Sequence, residues 1–271
     1  MPLSRLHSIL DAIGPLAIAV SGGVDSMTLA VVAHHRLPGQ VRLFHAVSAA
    51  VPPDATRRVR GHAEREGWDL AVIGAGELDD PNYVANPVDR CFYCKTNLYG
   101  SIAGLTELPI ASGANVDDLG DYRPGLKAAE QHRVHHPYIE AGIGKAGIRA
   151  IAASLGLDDL AELPSSPCLS SRIESGIAVR ADLLGLIDQA ESLARGQVGR
   201  TEALRVRLRR DGVVLELDAE TLGRLPALAQ SGLAKEIATL FLAAGQAYSV
   251  RVEPYRRGSA FLKDAAGRAP A

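Results

Sequence analysis

The chain has few aromatic residues and little sulfur: 4% Phe, Trp and Tyr together, one tryptophan, two methionines and three cysteines among 271 residues. So few cysteines exclude the disulfide framework that staples small secreted domains. Charge of one sign is also missing. The 29 Lys and Arg stand against 31 Asp and Glu, a formal net charge of −2, which argues against a nucleic-acid partner. No apolar run approaches the length of a membrane span, and the N-terminus has no basic stretch followed by an apolar one. A cytoplasmic protein with no membrane partner is expected. What remains is an ordinary globular composition, 47% hydrophobic and 22% charged, in a chain long enough for one large domain and a smaller one.

Within that background one run stands out, Ala19-Val20-Ser21-Gly22-Gly23-Val24-Asp25-Ser26-Met27. An apolar strand over residues 16–20 enters it and an amphipathic helix follows at once. Two glycines in a strand-to-helix turn leave backbone N–H groups uncovered by Cβ atoms, so a phosphate can sit against them. The positive helix end near Asp25 and the hydroxyls of Ser21 and Ser26 suit the same anion. The Gly-Lys-Ser/Thr of a Walker loop is absent, and so is the dinucleotide pattern Gly-x-Gly-x-x-Gly.

Strands expected over 16–20, 41–47, 70–74 and 109–113, with an extended stretch at 134–138, alternate with helices over 25–35, 53–66, 94–105, 122–131 and 145–155. That order specifies an α/β fold, a parallel sheet with helices on both faces. Ligands of such sheets bind at the carboxyl ends of the strands, where the Ser21–Ser26 turn, Ser48, Gly113 and Asn115 fall. Composition changes near Pro164. A Pro/Ser loop, a helix over 181–195, a hairpin over 205–217 with an Asp-Gly turn, a long helix over 219–243 and a strand over 248–252 make a smaller α+β domain. The expected domains are 1–178 and 179–263, with a disordered tail at 264–271.

Cys91-Phe-Tyr-Cys94 is a Cys-x-x-Cys, and Cys168 lies far along the chain in the Pro/Ser loop. All three are expected in polar, loop-like settings on the ligand side, with Arg90 and Arg172 near enough in sequence to favour thiolates. Three thiolates can bind zinc with a fourth ligand, for which His132, His135 and His136 are available. They can also hold three irons of a [4Fe–4S] cluster and leave the fourth iron open. In the smaller domain, Arg205, Arg207 and Arg209 alternate with Val206 and Leu208 and so share one face of a strand. Their mutual repulsion calls for an anion, such as a substrate phosphomonoester, and Glu216 on the partner strand is placed to orient one of them.

Ser21-Gly-Gly-Val-Asp-Ser26 resembles the pyrophosphate loop of the PP-loop ATP pyrophosphatases. Arg90-Cys-Phe-Tyr-Cys-Lys-Thr-Asn-Leu-Tyr99, Asn115-Val-Asp-Asp-Leu-Gly-Asp-Tyr-Arg-Pro-Gly-Leu-Lys-Ala-Ala129, Ser165-Ser-Pro-Cys-Leu-Ser-Ser-Arg-Ile173 and Tyr255-Arg-Arg-Gly-Ser259 resemble, in the same order, segments of the LarE sulfur transferases. The resemblance implies an enzyme of nickel-pincer nucleotide biosynthesis. Such an enzyme uses ATP and Mg²⁺ to adenylate the carboxylates of pyridinium-3,5-biscarboxylic acid mononucleotide, releases pyrophosphate, and replaces AMP with sulfur. Members come in two kinds: one sacrifices the sulfur of a single cysteine at the position of Cys168, and the other holds a [4Fe–4S] cluster on three cysteines. With Cys91, Cys94 and Cys168 all present, the cluster kind is expected.

Asp25, in the first turn of the helix after the glycines, is placed to hold the metal, and Asn115, Asp121 and Arg123 lie just past the fourth strand, where the nucleotide or acyl-adenylate is expected to pass. The resemblance implies that Ser170, Ser171 and Arg172 meet the substrate beside Cys168, with Arg205, Arg207 and Glu216 at its phosphate. A homo-oligomer is expected. After the cysteine loop, Ile173-Glu-Ser-Gly176 departs from the family's commoner Ile-Pro-Tyr-Gly. The alternatives are a tRNA-thiolating PP-loop enzyme, which the charge balance disfavours, and a nucleotide-binding module with a structural zinc.

Overall fold

The computed structural model describes residues 2–120 and 122–261. In chain order the elements are α1 (Pro2–Ile13), β1 (Leu16–Ala19), α2 (Val24–Arg36), β2 (Val41–Ala46), α3 (Pro53–Glu66), β3 (Asp69–Ile73), α4 (Pro81–Val84) and α5 (Arg90–Ala103). They continue with β4 (Ile110–Ser112), α6 (Pro124–Gln131), α7 (Pro137–Glu140), α8 (Lys145–Ser154), α9 (Asp158–Ala161) and α10 (Ala181–Val198). The strands β5 (Leu204–Arg209) and β6 (Gly212–Leu217), the helices α11 (Ala219–Arg224) and α12 (Ala227–Ala243), and β7 (Val250–Pro254) follow. The chain divides into two compact units, Met1–Glu77 with Asp89–Ser166, and Leu78–Val88 with Pro167–Ala271. The tail expected at 264–271 lies outside the described residues. None of the described helices is long and apolar enough to cross a membrane.

The first unit is built on a four-stranded sheet in the order β3-β2-β1-β4, parallel at every pairing. Strand β1, Leu-Ala-Ile-Ala, is buried along its whole length, as a parallel strand covered on both faces must be. Its alternating side chains feed two cores. Leu16 and Ile18 pack with α1, α2 and α8, through Leu6, Leu10, Met27, Val31, Ile148 and Ile151. Ala17 and Ala19 pack with Tyr99 and Ile102 of α5 and Ala129 of α6. The α/β class and the two-sided cover are therefore as the alternation of elements implied.

Three elements differ from expectation. Helix α1 was not read from the sequence, although Leu3, Leu6, Ile9, Leu10 and Ile13 recur at helical spacing and pack on the first core. The stretch at 134–138 makes one parallel bridge, Ala111 to His135, and then turns helical. Pro137 has no N–H for a ladder but suits the first position of α7. The helix expected over 219–243 is two helices. Leu225, held extended (φ −86, ψ 120) as a residue before proline prefers, ends α11, and Pro226 caps α12.

In the second unit β5 and β6 form an antiparallel hairpin and β7 adds to β6 in parallel. The excursion Leu78–Val88 belongs here because Asn86 ties it down. Asn86 is a buried residue in the left-handed region (φ 54). Its Nδ2 donates to the carbonyls of Glu174 and Ile177, each at 2.9 Å, and its own carbonyl accepts from Gly176 N at 2.9 Å. The segment 167–178, which the composition assigns to the first domain, packs with the second unit: Glu174 N donates to the Leu208 carbonyl and Ser175 N to the Ala260 carbonyl, both at 2.9 Å.

A deeply buried ion pair of this unit is Arg172 with Glu191. Arg172 Nε donates to Glu191 Oε1 at 2.9 Å and Nη2 to Oε2 at 3.2 Å, with side-chain exposures of 2% and 3%. Glu191→Ala would leave a buried guanidinium without its carboxylate, at a cost of about 3–5 kcal/mol. A marked drop in thermal unfolding temperature is expected, whereas Asp11→Ala, which opens the exposed Arg36–Asp11 pair, should leave that temperature nearly unchanged. Equal small effects would contradict the assignment.

Candidate phosphate-binding site and cysteine loop

The turn between β1 and α2 is shaped by what its glycines lack. Gly22 has φ +81, and a Cβ there would stand 2.7 Å from the Ala55 carbonyl oxygen of α3. Gly23, extended at the N-cap of α2 (φ −84, ψ 158), has room: a Cβ would meet only Ser21 Oγ, at 3.5 Å. The two serines close the turn. Ser21 N donates to Ser26 Oγ at 3.0 Å and the two hydroxyls lie 3.1 Å apart. From the other side the end of β4 presses on the first turn of α2, where a Cβ on Gly113 would lie 2.7 Å from Ser26 N. Gly113 thus serves the site by close packing of backbone on backbone.

Asp25 projects from the first turn of α2 and is paired with a residue that sequence reasoning missed. Lys145 Nζ donates to both its oxygens, at 2.7 and 2.5 Å. Burial raises the Asp25 carboxyl above the usual carboxylate range and Lys145 opposes that shift. Lys145 opens α8, and its backbone N–H donates to Asp117 Oδ2 at 2.7 Å. Tyr138, fully buried, donates to the Asp25 carbonyl at 3.2 Å. The readable signal was Gly144-Lys145 at a loop-to-helix junction, the same grammar as the Ser21–Ser26 turn.

Other residues at the carboxyl edge of the sheet are occupied locally. Ser48 donates to the buried carboxylate of Glu77 and accepts from Ala50 N. Asn115, 2% exposed, caps the turn Val116–Gly120: its Oδ1 accepts from Asp117 N at 3.1 Å. Arg123 pairs with Asp118 at 2.9 Å. Asp121 lies outside the described residues.

Cys91 and Cys94 belong to the first unit and Cys168 to the second; all three are half-buried thiols outside any disulfide. The first two are not in a loop. They lie in the opening turns of α5, three residues apart and so on one side of it, because Arg90 to Cys94 contains no breaker once Pro87 is passed. Among the described residues no three His, Cys, Asp or Glu side chains stand together as a metal site. His136 bonds Ser112 Oγ at 2.9 Å.

Cys168 leads the turn Leu169–Arg172, and Ser170, Ser171 and Arg172 support it from inside. Ser170 Oγ bonds Tyr83 OH at 2.6 Å. The Cys168 carbonyl accepts from Ser171 Oγ at 2.7 Å and Arg172 Nη1 at 3.0 Å, and the Pro167 carbonyl accepts from the same Nη1 at 2.5 Å. The anion that the arginine row requires is in part internal. Glu216, fully buried, accepts from Arg207 Nε and Arg209 Nη2, both at 2.7 Å, and from Ser259 Oγ at 2.6 Å. Arg207 Nη1 donates to the Ser171 carbonyl at 3.0 Å. Burial, with Arg172 nearby, lowers the pKa of Arg205.

Gly113→Ala should destabilise the fold by about 1–3 kcal/mol through overpacking, while Gly23→Ala leaves unfolding unchanged; the reverse order in thermal melts would refute the packing. His45 bears on the same turn: it is buried, with Nδ1 2.9 Å from the Val20 carbonyl and Nε2 2.9 Å from Thr56 Oγ1. Burial holds its pKa below 6.5, the Val20 bond opposes and Arg60 adds to the shift. The unfolded chain therefore binds the proton more readily. Stability should be complete above about pH 6.5 and fall as pH drops through the folded value. A His45→Asn chain should lack that component in pH-dependent melts.

No protein-family model matches the chain. It is 27% identical over 229 residues to the pyridinium-3,5-bisthiocarboxylic acid mononucleotide synthase of Lactiplantibacillus plantarum, covering 81% of this chain and 80% of that one. To the uncharacterized protein MJ0830 of Methanocaldococcus jannaschii it is 26% identical over 210 residues, 75% and 77% of the two chains. To the uncharacterized protein slr1717 of Synechocystis sp. it is 34% identical over 224 residues, 80% and 82% of the two chains. With an α/β unit, a parallel sheet and relatedness over this length, the chain belongs to the family of slr1717 and is a distant relative of the mononucleotide synthase.

Proposed function

We propose that the protein is an ATP-dependent sulfur transferase that adenylates carboxylates of a pyridinium mononucleotide and converts them to thiocarboxylates. The observation that carries this reading is the Ser21–Ser26 turn, a glycine turn at the N-terminal end of a 13-residue helix, where an anion is favoured, in a relative of a protein named pyridinium-3,5-bisthiocarboxylic acid mononucleotide synthase. In the first step a substrate carboxylate oxygen attacks the α-phosphorus of ATP and the bond to the β-phosphate oxygen breaks, so pyrophosphate leaves. The turn's N–H groups and the helix end stabilise the charge that develops there. With ATP bound, Lys145, half exposed on its long stem, would exchange Asp25 for a phosphate oxygen, and Asp25 would be the residue to hold the Mg²⁺ that accompanies ATP. In the second step sulfur attacks the acyl carbon and AMP leaves with the electron pair.

Sulfur comes through the cysteines. Cys91 and Cys94, one turn apart on α5 and outside any disulfide, are two thiolate donors of the kind a [4Fe–4S] cluster takes, and Cys168 would be the third. Such a cluster, when bound, would supply a sulfide on its open iron. The bonds from Ser171 and Arg172 to the Cys168 carbonyl hold that residue's backbone still. Arg205 binds the substrate's phosphate, and Arg207, which is buried and donates to Glu216 and to the Ser171 carbonyl, supports it from beneath.

Full-length protein given ATP and the pyridinium dicarboxylate mononucleotide should release AMP and pyrophosphate, and Gly23→Val should lower that rate by about 100-fold or more with the melt unchanged. ADP and phosphate as products would refute the reading. Mass spectrometry after turnover separates the sulfur sources. Intact Cys168, with Cys91→Ala and Cys94→Ala both inactive, is expected; dehydroalanine at 168 with both variants active would refute the cluster.

A further inference from the structure

The start of α3 reaches the phosphate-binding turn directly at two places, and the carbonyl that leads into it through His45. The Ala55 backbone lies where a Gly22 side chain would be. Thr56 Oγ1 is 2.9 Å from His45 Nε2, and His45 Nδ1 is 2.9 Å from the Val20 carbonyl oxygen. Arg58 Nη1 donates to the Gly22 carbonyl at 2.7 Å. Each of these carbonyls shares a planar trans peptide with the next residue's N–H, and in that plane C=O and N–H point in opposite directions. Tying the Val20 carbonyl to His45 therefore aims Ser21 N–H away from α3, and tying the Gly22 carbonyl to Arg58 does the same to Gly23 N–H. Both amides do point to the side that carries the two hydroxyls: Ser21 N donates to Ser26 Oγ at 3.0 Å and Gly23 N to Ser21 Oγ at 3.4 Å.

We propose that His45 and Arg58 are positioning residues for phosphate binding, acting as hydrogen-bond donors to the turn's carbonyls and not as charges on the ligand. A peptide released from Arg58 is free to rotate, since Gly22 and Gly23 offer little steric resistance. An amide no longer aimed at the anion gives up the preorganisation that makes such a site effective. His45 is invisible to motif reading because it lies on β2, and Arg58 reads as one of several exposed arginines on α3. The inference rests on the Ser21–Ser26 turn being the ATP site.

The test uses paired variants of the full chain, read as KM for MgATP and kcat in pyrophosphate release. Arg58→Met and His45→Leu remove the donors; Arg58→Lys and His45→Asn restore one within reach of the same carbonyl. We expect KM for ATP to rise about tenfold or more in the first pair, with kcat within about threefold, and to return near wild type in the second. Arg58 is half-buried on a helix surface, so its pair carries the test if His45→Leu does not fold. An unchanged KM in Arg58→Met overturns the proposal, and so does Arg58→Lys as impaired as Arg58→Met. If wild-type protein releases no pyrophosphate from ATP, the assignment of the turn falls and this inference with it. An active wild type with an indifferent Arg58→Met sinks the inference alone.

Discussion

The Ser21–Ser26 turn keeps its form because two backbones press on it where no side chain fits. Gly22 lies against Ala55 of α3 and Gly113 against the first turn of α2, at separations that a Cβ would violate. Close-packed interiors do not yield to such intrusions by small deformations. The position of the turn is therefore inherited from the sheet: β1 is set between β2 and β4 by the parallel ladder, and that ladder places α3 and the end of β4 on either side of the turn. Gly23, where a Cβ would meet only Ser21 Oγ at 3.5 Å, is the glycine that no backbone presses on.

The charged groups fall into two kinds that the sequence does not distinguish. Glu216 and Glu191 are enclosed, each bound to arginines that have almost no exposure of their own, with the exception of Arg209 and Arg195 at their rims. Breaking such pairs leaves a buried charge, so they hold the β5–β6 hairpin and the Cys168 turn in place. Asp25 and Lys145 are different, with side-chain exposures of 25% and 40%. A lysine on a flexible stem, joined to a single carboxylate and in reach of water, can change partner at little cost. The place where charge can move is thus at the turn, and the place where it cannot is beneath the cysteine loop.

Much of this was legible in the sequence because it depended on local pattern. The apolar runs of β1 and β2 and the Pro53 start of α3 marked the first unit, and two adjacent glycines marked the turn. What was not legible depended on partners distant in the chain. Arg172 reads as a substrate arginine until Glu191, nineteen residues on, closes over it. Lys145 needed the fold to bring it to Asp25, 120 residues away. Pro226 and Pro137 were visible all along, and their effect on α12 and on the stretch after His135 follows from the missing N–H.

The central claim is that a substrate carboxylate becomes an acyl adenylate. Label carried from substrate to AMP tests it most directly. With the dicarboxylate's oxygens enriched in ¹⁸O, attack on the α-phosphorus leaves one labelled oxygen in the phosphate of AMP for each thiocarboxylate formed. The account predicts AMP with a single ¹⁸O, in step with product. Unlabelled AMP, or label appearing in pyrophosphate, would contradict it.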